Sequence, residues 1–186
     1  MPFISPSQSG IFASGLQALV KVVVDSEKLA KVGENIFPGR AVTIGTAGTI
    51  ESADETSTFV YGLTDTNMNT YSSDVQSATG EYGSGKINVI SWARVILRPN
   101  VYLASDGSEF TVQSYDTSAG ALAAYAPGVQ LVVDATAADI NNTDPLYTAK
   151  GRVTYFGKAG AGTVVVGYIT KKPTATDVEM EAMIRC

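Results

Sequence analysis

The residue types that most often carry out chemistry are scarce in this chain of 186 residues. It has no histidine and a single cysteine, Cys186. Histidine is the commonest general acid or base and the commonest metal ligand, and without it a serine nucleophile has only lysine to serve as its base. One thiol can form neither an intrachain disulfide nor a cysteine-rich zinc site. We therefore expect no catalytic residue, no metal site and no cofactor.

Two polar segments partly match known ligand-binding loops. Residues 80–86 (GEYGSGK) fit the phosphate-binding pattern G-x-x-x-x-G-K, but Ile87 stands where Ser or Thr is needed, and a strand-like run follows where a helix should begin. Residues 65–69 (DTNMN) open like a calcium-binding loop, but the sixth position is Thr70 instead of Gly and the twelfth is Gln76 instead of Glu. We interpret both segments as plain polar loops.

Several carboxylates are close together in the sequence and need the same scrutiny. A pair of catalytic carboxylates requires a cleft and shifted pKa values, whereas these groups adjoin turns or alternate along polar faces. We therefore interpret them as solvated surface. The groups are Asp25 with Glu27, Glu51 with Asp54 and Glu55, and Glu179 with Glu181.

Composition indicates a folded protein that meets other proteins. Hydrophobic residues make up 45% of the chain, enough for a core, and charged residues only 17%, against a usual ~25%. The net charge is −5 and the basic residues are scattered, so the electrostatic footprint of nucleic-acid binding is missing. Every apolar run is far shorter than the ~18 residues of a membrane-spanning helix. We expect no direct nucleic-acid partner and no membrane contact.

Short β-branched and alternating segments, separated by glycine and proline, dominate the chain from residue 18 onward. Hairpins are predicted at residues 41–50, at 101–113 around an Asp-Gly turn, and at 152–170. Further strands are predicted at residues 18–24, 58–64 (with a possible bulge at Gly62), 86–90, 93–97, 129–133 and 177–184, and short helical turns at 26–32 and 119–125. The pattern is typical of an all-β fold, a β-sandwich or small β-barrel of about ten short strands, with an extended N-terminal arm.

The arm carries spaced apolar residues but cannot form a core of its own. We divide the chain into an N-terminal arm and docking segment, residues 1–35, and a β-rich domain, residues 36–186. Apolar anchors on the arm, and tyrosines in the polar loop at residues 65–84, are candidate interface residues, since aromatic side chains are enriched where proteins meet. These candidates are Phe3, Ile4, Ile11, Phe12, Leu16, Tyr71 and Tyr82.

One phrase occurs twice in the sequence. Residues 39–43 (GRAVT) and 151–154 (GRVT) each lead into a turn rich in glycine and alanine and then into a strand. This short repeat is explained either by a duplicated hairpin or by the residues that are common in β-turns, and the sequence leaves both explanations open.

Several glycine- and proline-anchored phrases, taken in order, resemble the capsid decoration (head cement) proteins of tailed bacteriophages. They are residues 32–42 (VGENIFPGRAV), 59–64 (FVYGLT), 85–89 (GKINV), 97–104 (LRPNVYLA), 151–154 (GRVT) and 166–169 (VGYI). The resemblance covers roughly residues 32–170. It implies a structural virion protein without catalytic residues, made in the host bacterial cytoplasm and bound to the exterior of the capsid. Its implied partners are the major capsid protein and copies of itself, as a dimer or trimer.

Two other classes of protein remain as alternatives. A tail or fibre-type adhesion or carbohydrate-binding module would present clustered, solvent-exposed aromatic residues. An enzyme on a β scaffold would present a pocket with two converging carboxylates, and the absence of histidine argues against it.

Overall fold

The computed structural model describes residues 16–18, 23–25, 31, 39–64, 89–103, 109–134 and 150–186. These residues form twelve strands and one short helix, α1, Ala119–Ala124. This confirms the predicted all-β class. The strands are β1 Leu16–Ala18, β2 Val23–Asp25, β3 Ala41–Ile44, β4 Ile50–Ser52, β5 Gly62–Thr64, β6 Val89–Leu97, β7 Pro99–Leu103, β8 Glu109–Gln113, β9 Gln130–Asp134, β10 Arg152–Tyr155, β11 Val165–Lys171 and β12 Met180–Arg185.

Strand β6 organises the main sheet, in which all pairings are antiparallel. The strand order is β10-β9-β11-β12-β6-β5-β3-β4, and β1 and β2 also pair with β6. Trp92 pairs with both β12 and β2, and Ile90 pairs with both β5 and β2. Because a strand has only two edges, β12 and β5 must follow one another along one edge of β6. The segments β2 and β1 occupy the other edge.

The sheet curls until its two ends meet at Gly151. The Ala41 N–H donates to the Gly151 carbonyl at 2.6 Å, and the Gly151 N–H donates to the Ala53 carbonyl at 2.8 Å. Gly151 has a φ of 82°, and a Cβ there would lie 2.6 Å from the Ala41 carbonyl oxygen. Glycine is therefore required at this seam, for its left-handed backbone and for the lack of space.

The repeated glycine–arginine phrase marks the two sides of this seam. Gly39 also has a positive φ, 72°, and Arg40 and Arg152 are both buried. Arg40 crosses the seam, because its Nη1 donates to the Lys150 carbonyl at 3.3 Å. The strands that begin within the two phrases pair differently: β3 pairs with the strand that follows it, β4, and with β5, whereas β10 pairs with β9 and not with the strand that follows it, β11. The structure therefore does not repeat a hairpin.

The curled sheet encloses one main hydrophobic core. Along β6 the side chains of Ala93, Val95 and Leu97 are buried while Trp92 and Arg94 are exposed, as the two-residue period of a strand requires. A smaller cluster of Val42, Ile50 and Val89 is separate from the main core. The main core consists of Ala41, Ala53, Val60, Leu63, Ile90, Ala93, Val95, Leu97, Tyr115, Ala121, Tyr125, Leu131, Val133, Val153, Val166, Ile169, Met180, Ala182 and Ile184.

Two predicted hairpins are confirmed and the third is wrong. The strand pairs β3–β4 and β7–β8 form as predicted. The strands β10 and β11 do not pair with each other, because β9 lies between them and pairs with both. Residues 131–134 of β9 are buried, which suits a central strand. Since β10 and β11 are each antiparallel to β9, they run parallel to each other. The segment that joins them must therefore cross from one edge of β9 to the other. In this segment the Gly162 N–H donates to the Val133 carbonyl at 2.9 Å.

The other local predictions have mixed outcomes. The closing strand is confirmed as β12 and the helical turn at residues 119–125 as α1. The described parts of the two strands predicted at 86–90 and 93–97 belong to one strand, β6, and the strand predicted at 58–64 is confined to β5. The described ends of the strand predicted at 18–24 lie in β1 and β2, and residues 19–22 between them lie outside the described residues. A Cβ on Gly62 would lie 2.5 Å from the Ile90 carbonyl oxygen, so this glycine allows close strand approach. The helical turn predicted at 26–32 lies outside the described residues, apart from residue 31.

Candidate functional site, an exposed aromatic face

One row of side chains crosses the outer face of the sheet. Directly paired residues of antiparallel strands point to the same face. Tyr168 of β11 pairs with Gln130 of β9 and with Met183 of β12, and Met183 pairs in turn with Arg94 of β6. These four side chains therefore form a continuous row, opposite to the side that carries the core.

Aromatic residues extend this row at both ends. Trp92 lies two residues from Arg94 along β6, on the same face, and pairs with Arg185 of β12. Phe156 follows β10, and its N–H donates to the Gln130 carbonyl at 2.9 Å. We call the set of Trp92, Phe156, Tyr168, Met183, Arg94 and Arg185 the aromatic face.

The three aromatic side chains of this face are unusually exposed for their size. Trp92 is 52% exposed, Phe156 51% and Tyr168 38%. Large apolar side chains are scattered singly on most protein surfaces, so three on one sheet face are informative. Phe59 is also 49% exposed, but it lies ahead of β5, with its ring centroid 6.3 Å from that of Tyr61.

The spacing of the three rings follows from the strand order. Phe156 at the end of β10 is two strands away from Tyr168 in β11, and Tyr168 is two strands away from Trp92 in β6. Neighbouring strands lie ~4.8 Å apart, so the rings recur at roughly 10 Å across the sheet. The strand backbones fix this spacing, which a surface made of loops could not hold as rigidly.

Ion pairs occupy the neighbouring part of the outer face. Arg94 lies 2.5 Å from Glu181 Oε2, and Arg98 lies 2.6 Å from Glu179. The paired carboxylates of the sequence, Glu179 and Glu181, are thus each engaged by an arginine of the β6 region, consistent with their interpretation as surface groups. Among the described residues no carboxylate lies within ion-pair distance of Arg185.

A second polar feature is a cluster of four charged side chains, three of them buried and the fourth, Lys158, partly exposed. Arg152 donates from Nε and Nη2 to Asp134 Oδ2 at 3.1 and 2.8 Å. Lys158 Nζ lies 2.8 Å from the same oxygen and 2.6 Å from Asp116 Oδ2. Asp116 accepts a further bond from the Ser118 N–H at 2.9 Å. The cluster joins β9, β10, the segment before α1 and the crossover that follows β10.

The electrostatics of this cluster favour mutual ion pairing. Burial alone raises the pKa of Asp116, but the hydrogen bonds from Lys158 and the Ser118 N–H, with the charges of Lys158 and Arg152, leave that pKa below its usual value. Burial lowers the pKa of Lys158, and Asp116 and Asp134 more than offset it, so the net shift is upward. Asp116 and Lys158 are therefore held in their charged forms near neutral pH. The arrangement therefore fixes the crossover to the sheet, and neither of these two groups is poised to exchange a proton.

The structure tests few of the site residues predicted from sequence. Leu16 lies in β1, where its backbone pairs with Leu97. Phe3, Ile4, Ile11, Phe12, Tyr71 and Tyr82 lie outside the described residues, as do the two loops that resemble phosphate and calcium sites. The aromatic face was missed because period-two alternation assigns residues to two sides of a strand without saying which side is solvent.

Comparisons with known proteins give no indication of function. The chain matches no family model, no curated protein and no solved structure. Within the described ranges, no three His, Cys, Asp or Glu side chains are grouped so that they could hold a metal ion. No helix in that part of the chain is both long enough and apolar enough to span a membrane.

Proposed function

We propose that this protein is a structural component of a virus particle that binds the outer surface of a tailed-phage capsid lattice and stabilises it. Its partners are the major capsid protein and copies of itself. The observation that supports the proposal is the aromatic face. Trp, Tyr, Phe, Met and Arg are the residues enriched at protein–protein interfaces, and Trp, Tyr and Arg dominate their binding hot spots. The six residues of the aromatic face are of these five types, and Gln130 lies in the same row between Phe156 and Tyr168.

The scaffold beneath the face suits an interaction that must hold its shape. Trp92, Tyr168 and Met183 project from strands of one sheet, and the sheet is closed on itself at Gly151. Side chains held on a rigid scaffold lose little conformational freedom on binding, so more of the contact energy contributes to affinity. Repetition over a shell strengthens weak contacts further, because neighbouring copies raise the effective concentration of each contact.

The buried polar groups support a structural role in preference to a catalytic one. The two carboxylates of the Asp116–Lys158–Asp134–Arg152 cluster are balanced by two cations within hydrogen-bond distance. A catalytic acid or base works best when its pKa lies near the operating pH, whereas the pKa values of Asp116 and Lys158 are shifted away from neutrality. We therefore propose a protein that acts through its surfaces and has no enzymatic activity.

The proposal is tested by co-sedimentation of the purified protein with assembled phage heads that lack it. The variant Trp92→Ser with Tyr168→Ser removes two exposed rings without touching the core. A hot-spot aromatic contributes about 2 kcal/mol or more, and such values do not add fully, so removal of the two rings should lower the apparent affinity by at least the roughly thirtyfold that one ring accounts for. Phe59→Ser is the matched control, since it removes an equally exposed ring elsewhere. Equal loss in both variants, or no binding by the parent protein, would contradict the proposal.

Copy number provides an independent measurement. A lattice-binding protein should be present in purified particles at a copy number close to that of the major capsid protein. We expect on the order of hundreds of copies per particle. Quantitative mass spectrometry of the particles measures this ratio directly. A handful of copies per particle would instead point to a tail or fibre component.

The aromatic face also favours one alternative, a tail or fibre-type adhesion or carbohydrate-binding module. Three exposed rings at roughly 10 Å intervals on one sheet could stack against successive sugar units through their apolar faces. A glycan array separates the two functions. Specific glycan binding that is abolished by Trp92→Ser and retained by Phe59→Ser would establish the alternative.

A further inference from the structure

The outer face of β12 carries opposite charges at equal distances on the two sides of its central residue. Glu181, Met183 and Arg185 point outward in succession, because Ala182 and Ile184 between them are buried. A negative and a positive side chain therefore lie at equal distances on either side of Met183, about 7 Å each at the rise of a strand. A surface with this pattern is complementary to a second copy of itself rotated by 180°.

We propose that the aromatic face binds the same face of a second copy of this chain, about a two-fold axis that crosses β12 at Met183. The inference rests on the self-association included in the proposed function. It adds the surface and the symmetry, and it assigns the aromatic face to the second copy. The capsid contact then lies on another surface of the dimer, and Trp92→Ser with Tyr168→Ser weakens head binding because the single chain loses the effective concentration that a dimer provides. The axis lies in the plane between the two sheets and at right angles to β12, so the two β12 strands run in opposite directions across the interface.

The charges fit this arrangement in detail. Reversal of strand direction places Glu181 of each copy over Arg185 of the other, so the contact occurs twice, as an isologous interface requires. Glu181 binds its own Arg94 through Oε2, and a carboxylate has enough acceptor sites for a second guanidinium. Arg185, which has no carboxylate within ion-pair distance in the described part of the chain, thereby acquires one. Arg94 of the two copies also face each other beside the axis, and each keeps its own Glu181 as partner, so each Glu181 carboxylate is shared between two guanidinium groups.

The apolar side chains are arranged to be buried by the same contact. Met183 meets Met183 of the second copy on the axis. Tyr168, its cross-strand neighbour, meets Tyr168 of the second copy. Sheets that pack face to face interdigitate their side chains at ~10 Å separation, with strands within about 30° of alignment. Methionine adapts its shape to an irregular contact and also packs favourably against aromatic rings.

Charge reversal gives a decisive test by sedimentation equilibrium of the full chain. In Arg185→Glu, two carboxylates oppose each other at both symmetric positions, and in Glu181→Arg, two cations do. We expect each single variant to raise the dimer dissociation constant at least tenfold. The double variant Glu181→Arg with Arg185→Glu restores opposite charges across the axis but removes the Glu181 partner of Arg94. It should therefore dimerise at least about threefold more tightly than either single variant, without reaching the parent constant. These fold-changes are order-of-magnitude values for close interfacial charge pairs. Lys172→Glu, an exposed charge change off the face, is the control.

Crosslinking tests the symmetry independently of these charges. In a Cys186→Ser background, Met183→Cys places one thiol beside its own symmetry mate, so a short bismaleimide should join the copies into covalent dimers. Glu55→Cys, exposed and outside the face, should give none. Thermal unfolding of each variant identifies any loss of fold. The inference is overturned if the parent chain stays monomeric at high concentration, if the double variant is no tighter than the single ones, or if residue 183 does not crosslink.

The inference and the proposed function can fail separately. A chain that is monomeric but binds phage heads leaves the function standing and removes the two-fold interface. A chain that forms the predicted dimer but ignores heads leaves the interface standing and removes the capsid assignment.

Discussion

The seam at Gly151 gives the sharpest test of the fold. In Gly151→Ala, a methyl group enters where the Ala41 carbonyl oxygen lies 2.6 Å and the Arg40 Cβ 2.9 Å from the position of the new carbon. The residue also has a φ of 82°, which L side chains rarely adopt. The change therefore strains the backbone and separates the two ends of the sheet at the point where they are joined.

The expected loss is the sum of two contributions. The left-handed conformation costs a non-glycine residue about 1–2 kcal/mol. The methyl group also weakens the two seam hydrogen bonds, from Ala41 to Gly151 and from Gly151 to Ala53, at about 0.5–1.5 kcal/mol each. Gly151→Ala should thus lower the free energy of unfolding by roughly 2–5 kcal/mol.

Gly48→Ala separates the two contributions. Gly48 has a similar φ, 76°, but nothing lies within 4 Å of a Cβ there. This variant should lose only the ~1–2 kcal/mol of backbone strain. Urea unfolding followed by circular dichroism measures both values. For a chain of this size, the Gly151→Ala loss corresponds to a Tm lower by roughly 4–20 °C. If the two variants lose the same stability, the seam does not hold the sheet ends together.

Three further predictions concern the buried charges and the thiol. Asp134→Asn leaves Arg152 and Lys158 with one carboxylate between them, so the free energy of unfolding, measured in urea, should fall by about 3–5 kcal/mol. Asp116 has a lowered pKa in the fold, so its contribution to stability is present above its ordinary pKa and is lost as pH falls through the folded value; Asp116→Asn should flatten stability measured between about pH 5 and 2. Cys186 is exposed as a residue, but its Sγ lies 3.5 Å from the Val166 carbonyl oxygen, and desolvation of the sulfur raises the thiol pKa from 9.0 to about 12; alkylation by iodoacetamide at pH 8 should therefore be at least about tenfold slower in the folded protein than in urea.

The local strand signals in the sequence were sufficient for much of the fold. Glycine-containing turns between β-branched runs predicted the β3–β4 and β7–β8 hairpins, both of which form. Alternation at the end of the chain predicted β12, whose buried residues are Met180, Ala182 and Ile184. These features depend on residues close together in the chain, so short-range sequence patterns are enough to predict them.

Strand pairing between distant segments could not be obtained in the same way. The segments at β10 and β11 have the spacing of a hairpin, but β9 lies between them. The signal was present in the run of Leu131, Val132 and Val133, since a strand buried on both faces belongs inside a sheet. Choosing between the two pairings requires knowledge of what covers each face, which depends on the whole fold.

The candidate site was hidden for a related reason. Trp92 and Tyr168 sit in apolar phrases that are equally suitable for a core, and only the pairing of β6, β11 and β12 places both rings on the outer face. The interface residues predicted on the arm and in the loop at residues 65–84 all stay predictions, and for Leu16 the structure adds only its backbone pairing in β1.

The protection of the sheet edges explains why association should use a face. An exposed strand edge invites pairing with another chain. At the β10 edge, the Val153 N–H donates to the Ser114 carbonyl and the Asp116 N–H donates to the Val153 carbonyl, both at 2.9 Å. At the β4 edge, the Lys31 N–H donates to the Ile50 carbonyl at 2.8 Å. With these edge positions already paired, the rings of Trp92, Phe156 and Tyr168 are the exposed apolar surface that the described part of the sheet offers to a partner. The proposed association should therefore protect side chains on the face while leaving amide exchange along β10 unchanged.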